Sequence, residues 1–168
     1  MKKPPVKIVA QPSYADTLTV ASNLRERDRE EIFATRPDEN PADLARDVIA
    51  SGAFRWGAYV DNRPVAAIGA FQRWPNVWSV WAFGTDEWRS AAGALTKYAI
   101  RNMRPALYRS GALRVDCMSL ATHTDARRWL ELLGLRPEKT LDNWGKAGES
   151  FVLYSWTRNG QNGRNFHV

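Results

Sequence analysis

The residues best suited to chemistry gather around one short stretch. Thr85-Asp86-Glu87 supplies a helix-capping residue and two acids, between an apolar run and a helical pattern. A buried strand that runs straight into a helix aims the helix's first backbone N–H groups at one point beside the strand end, and such a point suits phosphate. Elsewhere the titratable groups within apolar patterns are few. Asp116 and Cys117 share one strand pattern and His123 lies at its exit; Tyr98 and Tyr154 sit on a helix stripe and a late strand. Asp and His suit proton transfer by type and Tyr suits an acid, but each type also serves as core or structural support. Cys117 fits a small buried hydrophobe. Two histidines, His123 and His167, and one cysteine make no metal set and no Cys/His nucleophile pair. No Walker-type or G-x-G-x-x-G loop occurs. Lys97, Arg101 and Arg104 form one basic helix face, either solvated or a contact for an acidic ligand or partner.

The elements that must position these groups follow from the patterning. Val77 to Gly84 is too short for a helix and rich in aromatic and β-branched residues, which predicts an interior strand covered on both faces. Trp88, Ala91, Ala92, Leu95, Tyr98, Ala99 and Met103 recur at helical spacing, predicting a helix over 88–103 that Arg104-Pro105 and Gly111 break. Leu113 to Leu120 reads as the next strand, expected parallel to 77–84 and diverging from it. Thr124 to Leu133 is a helix that Gly134 stops.

Before the central strand, Val6 to Ala10 is a first strand, and 14–35 holds one or two helices with the charged block Arg25 to Glu31 as a solvated face. Pro41 opens a helix over 42–51 that Gly52 ends. Phe54 to Val60 and Val65 to Phe71 form a hairpin across Asp61-Asn62-Arg63-Pro64. At the other end, Glu138 to Trp144 and Phe151 to Thr157 form a last hairpin. The order implies an α+β (α/β) domain over 1–157, with a mixed sheet, helices on both faces and a flexible tail over 158–168.

With 168 residues, 44% hydrophobic and 25% charged, the chain is long enough for one real core. Eight Trp provide either core or contact surface. The net charge of +6 favours acidic partners: a nucleotide-like cofactor, nucleic acid or another protein's surface. Part of that excess belongs to the ends (Lys2, Lys3, Arg158, Arg164), and the absence of a basic cluster with interleaved aromatics argues against nucleic acid. A single cysteine excludes an intrachain disulfide and fits a reducing compartment. No apolar run has signal-peptide length or the ~18 residues of a membrane span. Together these features predict a soluble, cytoplasmic protein, without membrane partners.

With the elements placed, residues 54–157 resemble the GCN5-related N-acetyltransferase (GNAT) superfamily. Its members bind acetyl-CoA between two splayed parallel strands, with the pyrophosphate on an Arg/Gln-x-x-Gly-x-Gly/Ala loop that opens the central helix. Arg89-Ser-Ala-Ala92-Gly-Ala94 stands at that loop, with Ala92 replacing the first glycine. In the second motif His123, Ala126, Leu130, Gly134 and Leu135 fall where the family has Asn, Ala, Tyr, Gly and Phe. The hairpin Asp142 to Trp156 resembles the family's last two strands. A narrower resemblance, carried by Val77-Trp-Ser-Val-Trp81, Thr85-Asp-Glu-Trp88, Arg128-Trp-Leu130 and Gly134-Leu135, is to GNAT-like proteins of short-tailed bacteriophages, which include a small internal virion protein.

The resemblance implies acetyl-CoA as cofactor and an amine as acceptor. Phe83, Gly84, Thr85, Arg89, Ser90, Ala91, Ala92, Gly93 and Ala94 are the expected cofactor residues. Catalysis needs a base for an ammonium and an acid for a thiolate. The central strand carries no acid residue, so Asp116 is the candidate base, and His123 suits either role. Leu130 stands at the usual tyrosine and donates no proton. The resemblance thus leaves two readings: an N-acetyltransferase or degenerate relative, and a non-enzymatic phage protein that kept the fold, either an internal virion component or a binder of a host protein. The host cytoplasm or the virion would be its location.

Overall fold

The computed structural model describes residues 5–159. The tail expected over 158–168 lies, from residue 160 on, outside the described residues, as do Lys2, Lys3, Arg164 and His167. Strand β1 (Val6–Ala10) is followed by α1 (Tyr14–Ser22), α2 (Glu26–Phe33) and α3 (Pro41–Ala50). Ser13 caps α1 by accepting from Asp16 N, and Asn40 caps α3 just before Pro41. Strands β2 (Arg55–Val60) and β3 (Arg63–Trp74) meet at Asp61-Asn62, both with positive φ, the backbone of a two-residue hairpin turn. Pro75-Asn76, with Asn76 at φ 67°, turns the chain into β4 (Val77–Gly84).

The sheet has seven strands in the order β1-β2-β3-β4-β5-β7-β6, where β5 is Arg114–Leu120, β6 Arg136–Leu141 and β7 Phe151–Thr157. Every pair is antiparallel except β4 with β5. Strand β4 is therefore interior, and its parallel neighbour is the strand expected from the sequence. Alternation sorts the side chains. Trp81 and Phe83 pack with Val20, Leu44 and Val48 of α1 and α3 on one face; Trp78, Val80 and Ala82 face the other helical layer.

That second layer shows a departure from expectation. Helix α4 (Trp88–Tyr98) does not stop before Pro105 but passes through a π-helical turn (Ala99–Met103) into α5 (Arg104–Arg109). Pro105 has no N–H to donate, and the wider turn carries the chain past it without ending the helix. Helix α6 (Thr124–Leu132) packs beside it, and Gly134 follows at φ 98°. Two smaller differences are that β3 runs on to Trp74 and that β6 starts at Arg136, ending before Asp142. The charged block is not simply a solvated face. Glu26, Arg27, Arg29 and Glu30 are exposed, but Asp28 is buried and Glu31 half-buried.

Candidate active site

Strands β4 and β5 pair only at Val77↔Arg114, Trp78↔Val115 and Ser79↔Asp116. Beyond Ser79 they part, which leaves the β5-facing edge of β4 from Val80 onward without a strand partner. The ladder starts where it does because Asn76 O accepts from both Leu113 N and Arg114 N. A cavity of about 410 Å³ occupies the parting and opens toward both helical layers. On the α2/α3 side its lining includes Glu31, Arg36, Arg73, Ser79 and Trp81; on the α4–α6 side it includes Val80, Met103, Leu107, Leu130 and Trp156. A volume of this size is typical of small-molecule sites.

Helix α2 crosses the open end of the gap. Asp28 Oδ2 accepts from Gly84 N at 2.8 Å, while Arg25 N donates to Gly84 O at 2.9 Å. Asp28 Oδ1 lies 3.0 Å from His123 Nε2 and 2.8 Å from Arg25 Nε, and the Arg25 guanidinium stacks 4.6 Å over Trp88. The far strand is held as well, since Glu31 accepts from Ser119 Oγ and Leu120 N, each at 2.7 Å. One helix thus bridges the ends of both splayed strands. Burial raises the Glu31 pKa above the ordinary carboxylate value, and the bonds from Ser119 and Leu120 partly oppose that shift.

The expected cofactor residues divide by exposure. Arg89 and Gly93 are exposed on the first turns of α4, and a Cβ built on Gly93 would meet nothing within 4 Å. The Ala92 methyl packs against the main core, so it does not crowd the helix start, and Ala91 is fully buried. Ser90 and Ala94 are half-buried. Phe83 points to the α1/α3 face, stacked on Trp81 at 5.6 Å. Thr85 N donates to Val65 O, and Gly84 lies against Trp88, where a Cβ would come within 2.6 Å of the ring. Trp88 meets Trp129 edge-on at 5.3 Å, and Trp129 donates to Thr96 Oγ1, so indoles fill the space between α4 and α6.

Asp116 falls on the α2/α3 face, opposite Val115 and Cys117, as strand alternation requires. It is buried at the point of parting, accepts from Ser79 Oγ at 2.5 Å, and lies 3.7 Å from Arg73 Nη2 and 3.4 Å from Arg114 Nε. His123 is buried against Asp28, away from Asp116. Tyr154 is fully buried and engages Arg127 and Glu131 of α6, while the half-buried Tyr98 meets Trp56 at a tilt, ring centroids 5.5 Å apart. Cys117 lines the cavity, and burial pushes its thiol far above the ordinary range, with the Glu31 and Asp116 carboxylates adding to the shift. Sequence reasoning missed Glu31 and Asp28. Their three-residue spacing, in step with Leu24 and with Ile32 beside them, was the available signal that one face of the block is buried.

No family model matches the sequence, and no curated protein does either. Solved structures do match across nearly the whole chain. Ard1 from Thermoplasma volcanium aligns with a TM-score of 0.68 at 14% identity, covering 90% of this chain and 97% of that one. An N-acetyltransferase from Staphylococcus aureus Mu50 gives 0.68 at 12% identity, covering 91% and 97%. A GNAT-family acetyltransferase from Bacillus anthracis gives 0.60 at 14%, covering 94% and 99%. The architecture is that of the GNAT acetyltransferases: a mixed seven-stranded sheet, parted between two parallel central strands and flanked by helices. Among the described residues no helix is long and apolar enough to cross a membrane.

Proposed function

We propose that the protein is an acyl-CoA-dependent N-acyltransferase. The observation that carries this reading is the cavity in the parting of β4 and β5, which reaches both helical layers and has a raised-pKa carboxylate in its wall. The residues present fit the cofactor: an exposed Arg89 and open Gly93 at the start of α4 for its phosphates, the unpaired edge of β4 for its amides, and the cavity for its acyl end. Acyl-CoA supplies a thioester carbonyl activated toward amines. Glu31 takes a proton from the acceptor ammonium on the α2/α3 side, a role that its raised pKa suits. Asp116 and His123 serve as positioning residues, Asp116 by holding Ser79 and Arg73 at the cavity wall and His123 by bracing Asp28. Leu130 contributes apolar wall and no acid, so the leaving thiolate takes its proton from solvent.

A second reading, a protein that kept this fold without catalysis, is favoured by two features: the Gly84 amide is committed to Asp28, and Leu130 replaces an acid. On that reading the partner is a virion or host protein. A phage origin rests on the sequence resemblance alone. Thiol release from acetyl-CoA with a panel of amines separates the two readings. Turnover that Glu31→Gln abolishes supports the enzyme, and no turnover with any acceptor supports the second reading.

A further inference from the structure

The cavity's two halves differ in chemistry. Toward α2 and α3 its wall sets Glu31, Arg36, Asp47, Arg73, Ser79 and Ser119 among apolar side chains such as Trp81, Phe83 and Met118. Toward the other helical layer the wall is apolar, formed by Ala99, Met103, Leu107, Val115, Leu130 and Trp156, with Arg104 and Tyr108 at its rim. The first and last residues of the π turn, Ala99 and Met103, belong to this half of the wall.

An acetyl group is two carbons. A water needs only about 10–15 Å³ of such space, so 410 Å³ far exceeds what an acetyl group fills. The half that carries the carboxylates suits an amine acceptor, which leaves the other half without a use in acetyl transfer. We infer that this apolar half is an acyl-chain chamber and that the preferred donors are acyl-CoAs with an unbranched, uncharged chain of medium length. The chain would run from the parting of β4 and β5 over Val115, beneath the π turn, toward Trp156. Leu130 takes on a specific part here: in place of a hydroxyl it supplies chamber wall.

This inference rests on the acyltransferase reading, and calorimetry distinguishes the failure of one from the failure of the other. Free CoA, acetyl-, butyryl-, hexanoyl- and octanoyl-CoA are titrated into the full chain at one salt concentration. Burial of each added methylene is worth about a fourfold gain in affinity, and the binding heat capacity grows more negative along the series. That slope should level off once the chamber is full. Affinity equal for free CoA and every acyl-CoA overturns the chamber while leaving the cofactor reading intact; no binding by any member overturns both. Met103→Trp, which fills the chamber, should bring hexanoyl-CoA down to the affinity of acetyl-CoA. If that variant fails to fold, the wild-type series still decides.

Discussion

Asp28 and His123 lie 95 residues apart in the chain and meet at 3.0 Å across the open end of the sheet's central gap. The contact joins α2 to the turn after β5, and the same carboxylate reaches β4 through the Gly84 amide. It is a buried junction of three segments, and the Arg25 guanidinium adds a cation to it.

Removing Asp28 strands these partners. Asp28→Ala leaves a half-buried guanidinium, a buried histidine and a backbone N–H without this partner, and losing one member of such a cluster costs about 3–5 kcal/mol. Urea denaturation of the wild type and the variant measures it. A loss below about 1 kcal/mol, the worth of an exposed pair, would show that the junction is not a structural tie.

Glu31 couples stability to activity. Its folded pKa lies above the ordinary value of 4.5, so the folded chain holds that proton to higher pH than the unfolded chain does. The corresponding stability is fully present below pH 4.5 and is lost as pH rises through the folded pKa. Glu31→Gln, which still accepts from Ser119 and Leu120, should therefore lose less stability than wild type over that rise. The same variant should lower acyl transfer by about 10²–10⁴-fold, the worth of a positioned base. Thermal melts across pH and thiol-release rates check the two halves.

Sequence patterning revealed the sheet, because β4 is covered on both faces and its apolar run shows this without any partner. It missed the two carboxylates that bond to the strand ends. Seven consecutive charged residues look solvated, and the burial of Asp28 and Glu31 follows from where α2 docks, across two strand ends that are distant in sequence. Pro105 misled for a related reason. A helix break is the local expectation, and the π turn is a solution set by packing against β5 and β7. Strand alternation sets the face of Asp116, but Ser79 and Arg73, which surround it, come from β4 and β3 and could not be read from its own strand.

Arg89 tests the placement of the phosphates. Arg89→Ala should weaken CoA binding by about 1–3 kcal/mol, the range for a charge-assisted hydrogen bond, and should flatten its dependence on salt. Arg89 is exposed, so folding should be unaffected. Calorimetry at two ionic strengths measures both effects, and unchanged affinity would remove phosphate recognition from the start of α4.

Cys117 should resist chemical labelling. Half-buried in the cavity wall, its thiol is held above the ordinary range by desolvation and by the nearby Glu31 and Asp116 carboxylates, and only the thiolate reacts with alkylating reagents. Iodoacetamide should modify the unfolded chain quickly at pH 8 and the native chain orders of magnitude more slowly. Comparable rates, followed by mass spectrometry, would mean that the cavity wall around Cys117 opens freely to water.

The short ladder between β4 and β5 has a mechanical meaning. Three ladder pairs and the bonds to Asn76 O join β4 to β5, so within the sheet β1–β4 and β5–β7 form two slabs that share a narrow seam. Rocking about that seam should be the molecule's softest collective motion. The polar links from α2 to Gly84 and Leu120 should act as a strut on that motion. Amide exchange should report this as slow, uniform protection in β2 and β3 and faster exchange at Val115 and Asp116. Cutting the strut at Asp28 should raise exchange along the seam before it affects the outer strands.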